Sequence, residues 1–348
     1  MEVLFVEESV SMHKPILHHP ENPSRALRVR SAIELQGVAV TSISVKNVDL
    51  EEGLKIARRI HAKGYLDYLV KLSRNAPAAI DEDTYISSDS LELAVATLYF
   101  SYEYSRERAS KGNAVFLVSR PPGHHAGRGG KALGAATQGF CILNNAAAAV
   151  EGFRDGGVKR LAVLDFDAHH GNGTMEILYK DPVLQIDVHQ DPDTLYPHTG
   201  YPSEMGEGEG YGFKLNVVMP PSSGDDVFVE ILSNAFNLLK EYSPDALVVS
   251  AGFDAFEGDG LADLRFTEVS YYKLGELIRE LGSPTTIVLE GGYRVGLSRG
   301  VAAFVNGLRG AKSSYALETR TPPQLYREIV ELANRILEKA SKRVLRRL

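Results

Sequence analysis

The stretch Val163–Thr174, VLDFDAHHGNGT, sets two aspartates and two adjacent histidines within six residues, directly after an apolar run. An apolar strand ordinarily gives way to a turn of Gly, Asn or Pro. A block of titratable groups at that point marks the strand end as a place where chemistry is assembled. In an extended chain residues i and i+2 point to one side. Asp165, Asp167 and His169 therefore share a face, and Asp167-Ala168-His169 reads as a pair of metal ligands.

Similar apolar runs recur at Val3–Val6, Val115–Val118, Leu161–Leu164, Val183–Val188, Ala246–Val249 and Thr286–Leu289. Continuous runs of this length suit strands buried on both faces of a parallel sheet. Between them, Leu91–Ala109, Asn144–Phe153, Asp226–Glu241 and Thr267–Glu280 carry helical periodicity. Alternating β and α elements, with no repeat and no linker, predict one α/β domain over residues 1–348. Leu325, Ile329, Leu332, Ile336 and Ala340 give the segment Pro322–Leu348 the pattern of a docked amphipathic helix. Its basic end, Lys342, Arg343, Arg346 and Arg347, reads as a solvated helix terminus favoured by the macrodipole.

Composition narrows the function classes. With 44% hydrophobic and 24% charged residues in 348, the chain can bury a large core. The net charge of −7 argues against nucleic acid as a bulk partner. No run approaches the ~18 apolar residues of a membrane span. The N-terminus lacks the pattern of a signal peptide, so the expected location is cytoplasmic. The single cysteine, Cys141, excludes an intrachain disulfide and a thiolate zinc cage. A metal here must use His and carboxylates. A homo-oligomer stays open.

Polar groups follow five of the runs: RPPGHHAG, DFDAHHGNG, DVHQ, AGFDAFEGD and EGGYR. Ligands of open parallel sheets bind beyond the carboxyl ends of the strands. His124, His125, Asp165, Asp167, His169, Asp187, Asp254 and Tyr293 are thereby expected along one sheet edge. Alone, a D-x-H pair is more often a capping aspartate and a surface histidine. With Asp254 as third ligand the set becomes two carboxylates and one imidazole, which suits a catalytic Zn²⁺ with an open position. His124 and His125 are candidates for the proton transfers that amide hydrolysis needs. Tyr293, after two glycines, is a candidate oxyanion donor.

Taken together, six stretches resemble the histone deacetylase family, which includes acetylpolyamine amidohydrolases and acetoin-utilisation proteins. They are HPENPSRALRV, RPPGHHA, GFCILNNAA, DFDAHHGNGT, SAGFDA and EGGY, from His19 to Tyr293. The resemblance implies the arginase/deacetylase fold, with an eight-stranded parallel sheet. It implies one Zn²⁺ held by Asp167, His169 and Asp254. It also implies Tyr293 at the oxyanion, and His124 and His125 as acid/base pair backed by Asp165 and Asn172. A monovalent cation, K⁺ or Na⁺, is implied at the Asp165 and Asp187 side chains and the main-chain oxygens of Asp167, His169 and Val188. Phe140 and Tyr196 match the tunnel walls, Gly139 the carbonyl facing the substrate N–H, and Asp83 the rim aspartate that holds substrate amides.

Departures from the family pattern carry information. Asn172 stands where class I members have Asp, so His125 should be less basic than His124. Asp187 stands where many have Ser, and Tyr196 where Phe is commoner. Leu261 replaces the glutamate of polyamine-selective relatives, which favours an acyl-lysine substrate over a small acylated amine. The stretch Gly127–Gln138, GRGGKALGAATQ, is longer than usual and reads as a flexible loop near the mouth. His170 is left with a structural role. The expected reaction is metal-assisted hydrolysis of an N-acyl amide, releasing acetate and an amine. Competing readings are an acetylpolyamine hydrolase, an inactive acyl-lysine binder, and a binuclear manganese ureohydrolase.

Overall fold

The protein is described by a computed structural model over residues 1–345. Arg346 and Arg347 of the expected basic cluster lie outside the described residues. The strands are β1 (Glu2–Val6), β2 (Thr41–Ile43), β3 (Ala78–Ala79), β4 (Tyr85–Ile86), β5 (Ala114–Val118), β6 (Leu161–Asp165), β7 (Leu184–Gln190), β8 (Lys214–Met219), β9 (Ala246–Ala251) and β10 (Thr285–Leu289). The helices are α1 (Ser24–Glu34), α2 (Leu50–Ile60), α3 (Lys63–Ser73), α4 (Ser90–Arg108), α5 (Asn145–Asp155), α6 (Asn172–Ile177), α7 (Asp225–Tyr242), α8 (Glu268–Leu281), α9 (Val301–Leu308) and α10 (Pro323–Val344).

Eight strands form one parallel sheet in the order β2-β1-β5-β10-β9-β6-β7-β8, while β3 and β4 pair as a short antiparallel ribbon. All six apolar runs became strands of the large sheet. The two strands that the apolar runs did not reveal, β2 and β8, occupy its edges. Lys214 and Asn216 break the apolar pattern of β8, and β2 is three residues long. Strand β7 runs through Gln190, so Asp187 lies inside the strand, paired with Asp165 and Asn216, and not beyond its end. The polar residues of DVHQ were expected after this strand. They are part of it because neighbours on both sides complete its ladder.

Alternation along the central strands feeds two cores. Phe116, Leu164, Val249 and Ile287 pack with α7, α8, α9 and α10 residues such as Phe228, Leu274, Phe304 and Ile336. Val163, Val248 and Val288 pack with α3, α4 and α5 residues such as Leu69, Leu98 and Phe153. Each buried Leu, Ile or Phe contributes about 1.5–3 kcal/mol. Helix α10 buries Ile329, Ala333, Ile336, Leu337, Ala340 and Val344, while Leu325 and Leu332 of the expected apolar face are half-buried. Asn144 caps α5 by accepting from the Ala147 amide at 2.8 Å. Among the described residues no helix is long and apolar enough to cross a membrane.

Candidate active site

The four central strands, β5, β10, β9 and β6, are neighbours in the sheet. Their carboxyl ends carry His124–His125, Glu290–Tyr293, Asp254 and Asp165–His169 in turn. The one expected strand-end residue outside this group is Asp187, within β7.

Asp167, His169 and Asp254 bring one ligand atom each to within 4.8 Å of one another. Nδ1 of His169 lies 3.0 Å from Oδ1 of Asp167 and 3.0 Å from Oδ2 of Asp254. The remaining carboxylate oxygens are held by backbone. Asp167 Oδ2 accepts from the Gly291 amide at 2.7 Å, and Asp254 Oδ1 from the Ala168 amide at 3.0 Å. Asp254 Oδ2 is buried with no well-aligned hydrogen bond among the described residues, although His169 Nδ1 stands 3.0 Å away. An unsatisfied buried carboxylate oxygen is costly unless a cation takes it. A Cβ at Gly252 would stand 2.1 Å from Asp167 Oδ2, and one at Gly291 would stand 2.3 Å from Asp254 Oδ2. The two glycines keep this cradle clear. The donor set of two carboxylates and one imidazole fits Zn²⁺.

The two histidines beside it are buried and differ in environment. Nδ1 of His124 lies 3.0 Å from Oδ2 of Asp165. Burial opposes a charge on His124, but the Asp165, Asp167 and Glu290 carboxylates outweigh it and hold its pKa well above the usual value. Nδ1 of His125 lies 2.7 Å from Oδ1 of Asn172. Burial, joined by the neighbouring His124 and His169, pushes the pKa of His125 well below the usual value. Asn172 Nδ2 donates to the Ala132 carbonyl at 3.0 Å, which turns its oxygen toward His125. His125 thus carries its proton on Nδ1 and leaves Nε2 as acceptor.

Tyr293 sits against Phe140, with ring centroids 5.8 Å apart, and the Arg25 guanidinium lies 4.7 Å from its ring centre. Its hydroxyl makes no hydrogen bond among the described residues. Burial and the Asp254 and Asp167 charges push its pKa well above the usual value, against Arg25, so it stays a protonated donor.

Phe140 and Tyr196 flank Gly139, whose Cβ would meet His125 Cδ2 at 2.5 Å and Tyr196 Cε1 at 2.8 Å. Gly139 and Phe140 both have positive φ, 52° and 69°. The Tyr196 hydroxyl donates to the Thr137 carbonyl at 2.9 Å. Asp83 accepts from the Thr84 hydroxyl at 2.7 Å and from the Thr137 hydroxyl. Leu261 lines a cleft with Tyr293, His18, His19 and Asp259.

The segment Gly127–Gln138 is not the flexible loop expected. Its amides at Arg128 and Leu133 donate to the two oxygens of Glu176, at 2.9 and 3.1 Å, and Ala132 is fully buried. Small residues let it pack inward, where its Ala132 carbonyl orients Asn172. His170 is buried, bonds Thr199 Oγ1 at 2.8 Å, and is kept neutral by burial, with a pKa of about 3. That agrees with a structural role. Asp187 accepts from His189 Nδ1 at 2.7 Å and from the Gly171 amide at 2.9 Å. A Cβ at Gly171 would lie 2.4 Å from Asp165 Oδ2 and 3.2 Å from Asp187 Oδ2, so both carboxylates face that glycine.

Some supporting residues have roles that their type and spacing do not reveal, although Glu290 and Asp259 lie in the strand-end stretches EGGYR and AGFDAFEGD. Glu290 Oε2 accepts from the amides of Gly123 and His124 at 2.7 and 3.1 Å, fixing the His pair. Arg25, buried on α1, donates to the Gly292 carbonyl at 2.7 Å and ion-pairs with Glu21. Asp259 accepts from the amides of Tyr293, Arg294 and Gly296 at 2.7 to 2.9 Å, setting the Tyr293 backbone. Arg25 and Glu290 do stand within the recognisable motifs.

Residues 19–308 match the histone deacetylase domain. A probable deacetylase of Methanothermobacter thermautotrophicus is 36% identical over 91% of this chain and 93% of its own length. Acetylpolyamine amidohydrolase 1 of Pseudomonas aeruginosa is 36% identical over 79% of this chain and 87% of its own. Among solved structures, the HDA15 HD domain superposes with a TM-score of 0.81, covering 99% of this chain and 98% of that one, at 26% identity. The acetylpolyamine aminohydrolase of Burkholderia pseudomallei superposes at 0.78, over 90% and 100%, at 29% identity. An α/β fold of this order with its polar groups on one sheet edge defines the class, and the chain belongs to the histone deacetylase family.

Proposed function

We propose that the protein is a zinc-dependent amidohydrolase that removes an acetyl or similar acyl group from an amine, with acyl-lysine as the favoured substrate class. The observation that carries this is the convergence of Asp167, His169 and Asp254, with an unsatisfied Asp254 oxygen, beside the His pair. Zinc held by these three residues supplies Lewis acidity, which polarises a carbonyl and acidifies water. Nε2 of neutral His125 takes a proton from the attacking water, with Asn172 holding the required tautomer. His124, charged against Asp165, gives a proton to the leaving amine. The Tyr293 hydroxyl donates to the oxyanion. Phe140 and Tyr196 hold the acyl chain between aromatic faces. Asp165 and Asp187, facing Gly171 together, support a monovalent cation such as K⁺ beside the zinc.

The second reading is acetylpolyamine hydrolysis, which the names of four relatives and of one solved structure favour. Leu261 weighs against it, because an apolar side chain offers a distal ammonium nothing. A binuclear metal site is disfavoured: among the described residues the other trio of donors is His124, Cys141 and Glu290, and both amides on Glu290 Oε2 already occupy it. The test is acetate release from acetyl-lysine peptides and acetylpolyamines by protein of known zinc content. No turnover of any acylated amine at one zinc per chain would sink the proposal.

A further inference from the structure

The cleft beside Tyr293, about 200 Å³, is lined by His18, Arg28, Asp259, Leu261 and Arg294 among others. Arg28 stands on the exposed side of α1, three residues beyond the buried Arg25 that packs on the Tyr293 ring. Arg294 follows Tyr293 directly. Its guanidinium rests over Gly260, where a Cβ would meet Nη1 at 3.0 Å. Neither Arg28 nor Arg294 has an ion pair or side-chain hydrogen bond among the described residues. Most of the other arginines do: Arg25, Arg59, Arg120, Arg154 and Arg299 all bind carboxylates. The acid in the cleft, Asp259, is fully buried and spends both oxygens on backbone amides. The cleft therefore presents, beside Tyr293, two guanidinium groups without an ion pair among the described residues, while the one carboxylate lining it is turned to backbone amides. His19, which lines it as well, packs edge-on against the Phe140 wall at 4.7 Å.

Guanidinium groups are the side chains best matched to carboxylates. A cationic polyamine gains nothing here and is repelled. We infer that the preferred substrate is an acylated amine carrying a carboxylate at its far end: an acyl-lysine whose α-carboxylate is free, bound by Arg28 and Arg294. This rests on the amidohydrolase reading. Free Nε-acetyl-lysine and a peptide ending in acetyl-lysine share that chemistry.

The decisive comparison is Nε-acetyl-lysine against N-acetylcadaverine, which differ by that carboxylate alone. Nε-acetyl-lysine carboxamide serves as a third substrate, and peptides with terminal or internal acetyl-lysine as a further pair. The wild type should prefer each free carboxylate, and the terminal peptide separates a chain end from the free amino acid. In Arg28→Ala/Arg294→Ala the preference for acetyl-lysine over acetylcadaverine should fall about 10-fold, through KM and not kcat, as two partly exposed ion pairs allow. Arg→Lys at both positions should restore part of it. Equal kcat/KM on acetyl-lysine and acetylcadaverine, or a preference unmoved in the double alanine variant, overturns this inference and leaves the amidohydrolase reading standing. Hydrolysis of none of the substrates overturns both.

Discussion

Nδ1 of His125 lies 2.7 Å from the amide oxygen of Asn172. A neutral partner at that distance fixes the tautomer and supports an imidazolium less than a carboxylate would, so burial and the neighbouring His124 and His169 prevail. The adjacent His124 faces a carboxylate instead. The two histidines are thus driven in opposite directions, the arrangement that separates a base from an acid.

Asn172→Asp should therefore raise the pKa of His125. A base is useful only when unprotonated, so the acid limb of the kcat/KM profile should move to higher pH by about 1–2 units. A pH–rate profile checks this. An unmoved limb would show that His125 is not the base.

Tyr293→Phe should lower kcat by about 10²–10³-fold. The hydroxyl makes no hydrogen bond among the described residues, so melting temperature and zinc content should stay close to wild type. Turnover, thermal unfolding and metal analysis on one preparation measure all three. Unchanged turnover would remove Tyr293 from the chemistry.

Gly291→Ala places a methyl group within 2.3 Å of Asp254 Oδ2 and 2.5 Å of Asp167 Oδ2. Both carboxylates must shift. Zinc affinity should drop about 10–100-fold, read by competition with a chromogenic chelator. Zinc should also raise the melting temperature of the wild type more than that of the variant.

Lys214 is buried in β8, with Nζ donating to the carbonyls of Asp181 and Val183 at 3.0 and 2.8 Å. Burial lowers its pKa to about 7 from the usual 10.5. Between those values the unfolded chain binds a proton that the folded one does not, so stability should rise with pH across that window. Below pH 7 the charge is buried at full cost. Lys214→Met should flatten the rise and stabilise the protein at pH 6 by about 1–2 kcal/mol, offset in part by the two carbonyls left without a donor. Denaturant unfolding at pH 6 and pH 9.5 tests it. A wild-type stability that falls over this range would contradict the assignment.

The site was largely legible as residues. DFDAHHGNGT, RPPGHH, AGFD and EGGY hold the proposed metal donors, the His pair and the tyrosine. The six apolar runs gave the interior of the sheet. The edge strands β2 and β8 escaped, because an edge strand tolerates Lys, Asn, Thr and Ser that break an apolar run. The segment Gly127–Gln138 misled, since a Gly- and Ala-rich composition looks alike in a mobile loop and in a tightly packed one. Only the Glu176 carboxylate, 43 residues beyond Leu133, separates the two.

The sequence by itself determined which groups could do chemistry and that strand ends would present them. The expected alternation stops at Asp165, where β6 ends, and Asp167 and His169 meet instead through a local bend in which His169 N and Nδ1 both lie within 3.0 Å of Asp167 Oδ1. The tertiary structure decided which of these groups meet. It placed β5, β10, β9 and β6 side by side, so that residues as far apart in sequence as His124 and Tyr293 reach one sheet edge; strand order is set by packing and ladder pairing across the whole chain, which no local run specifies.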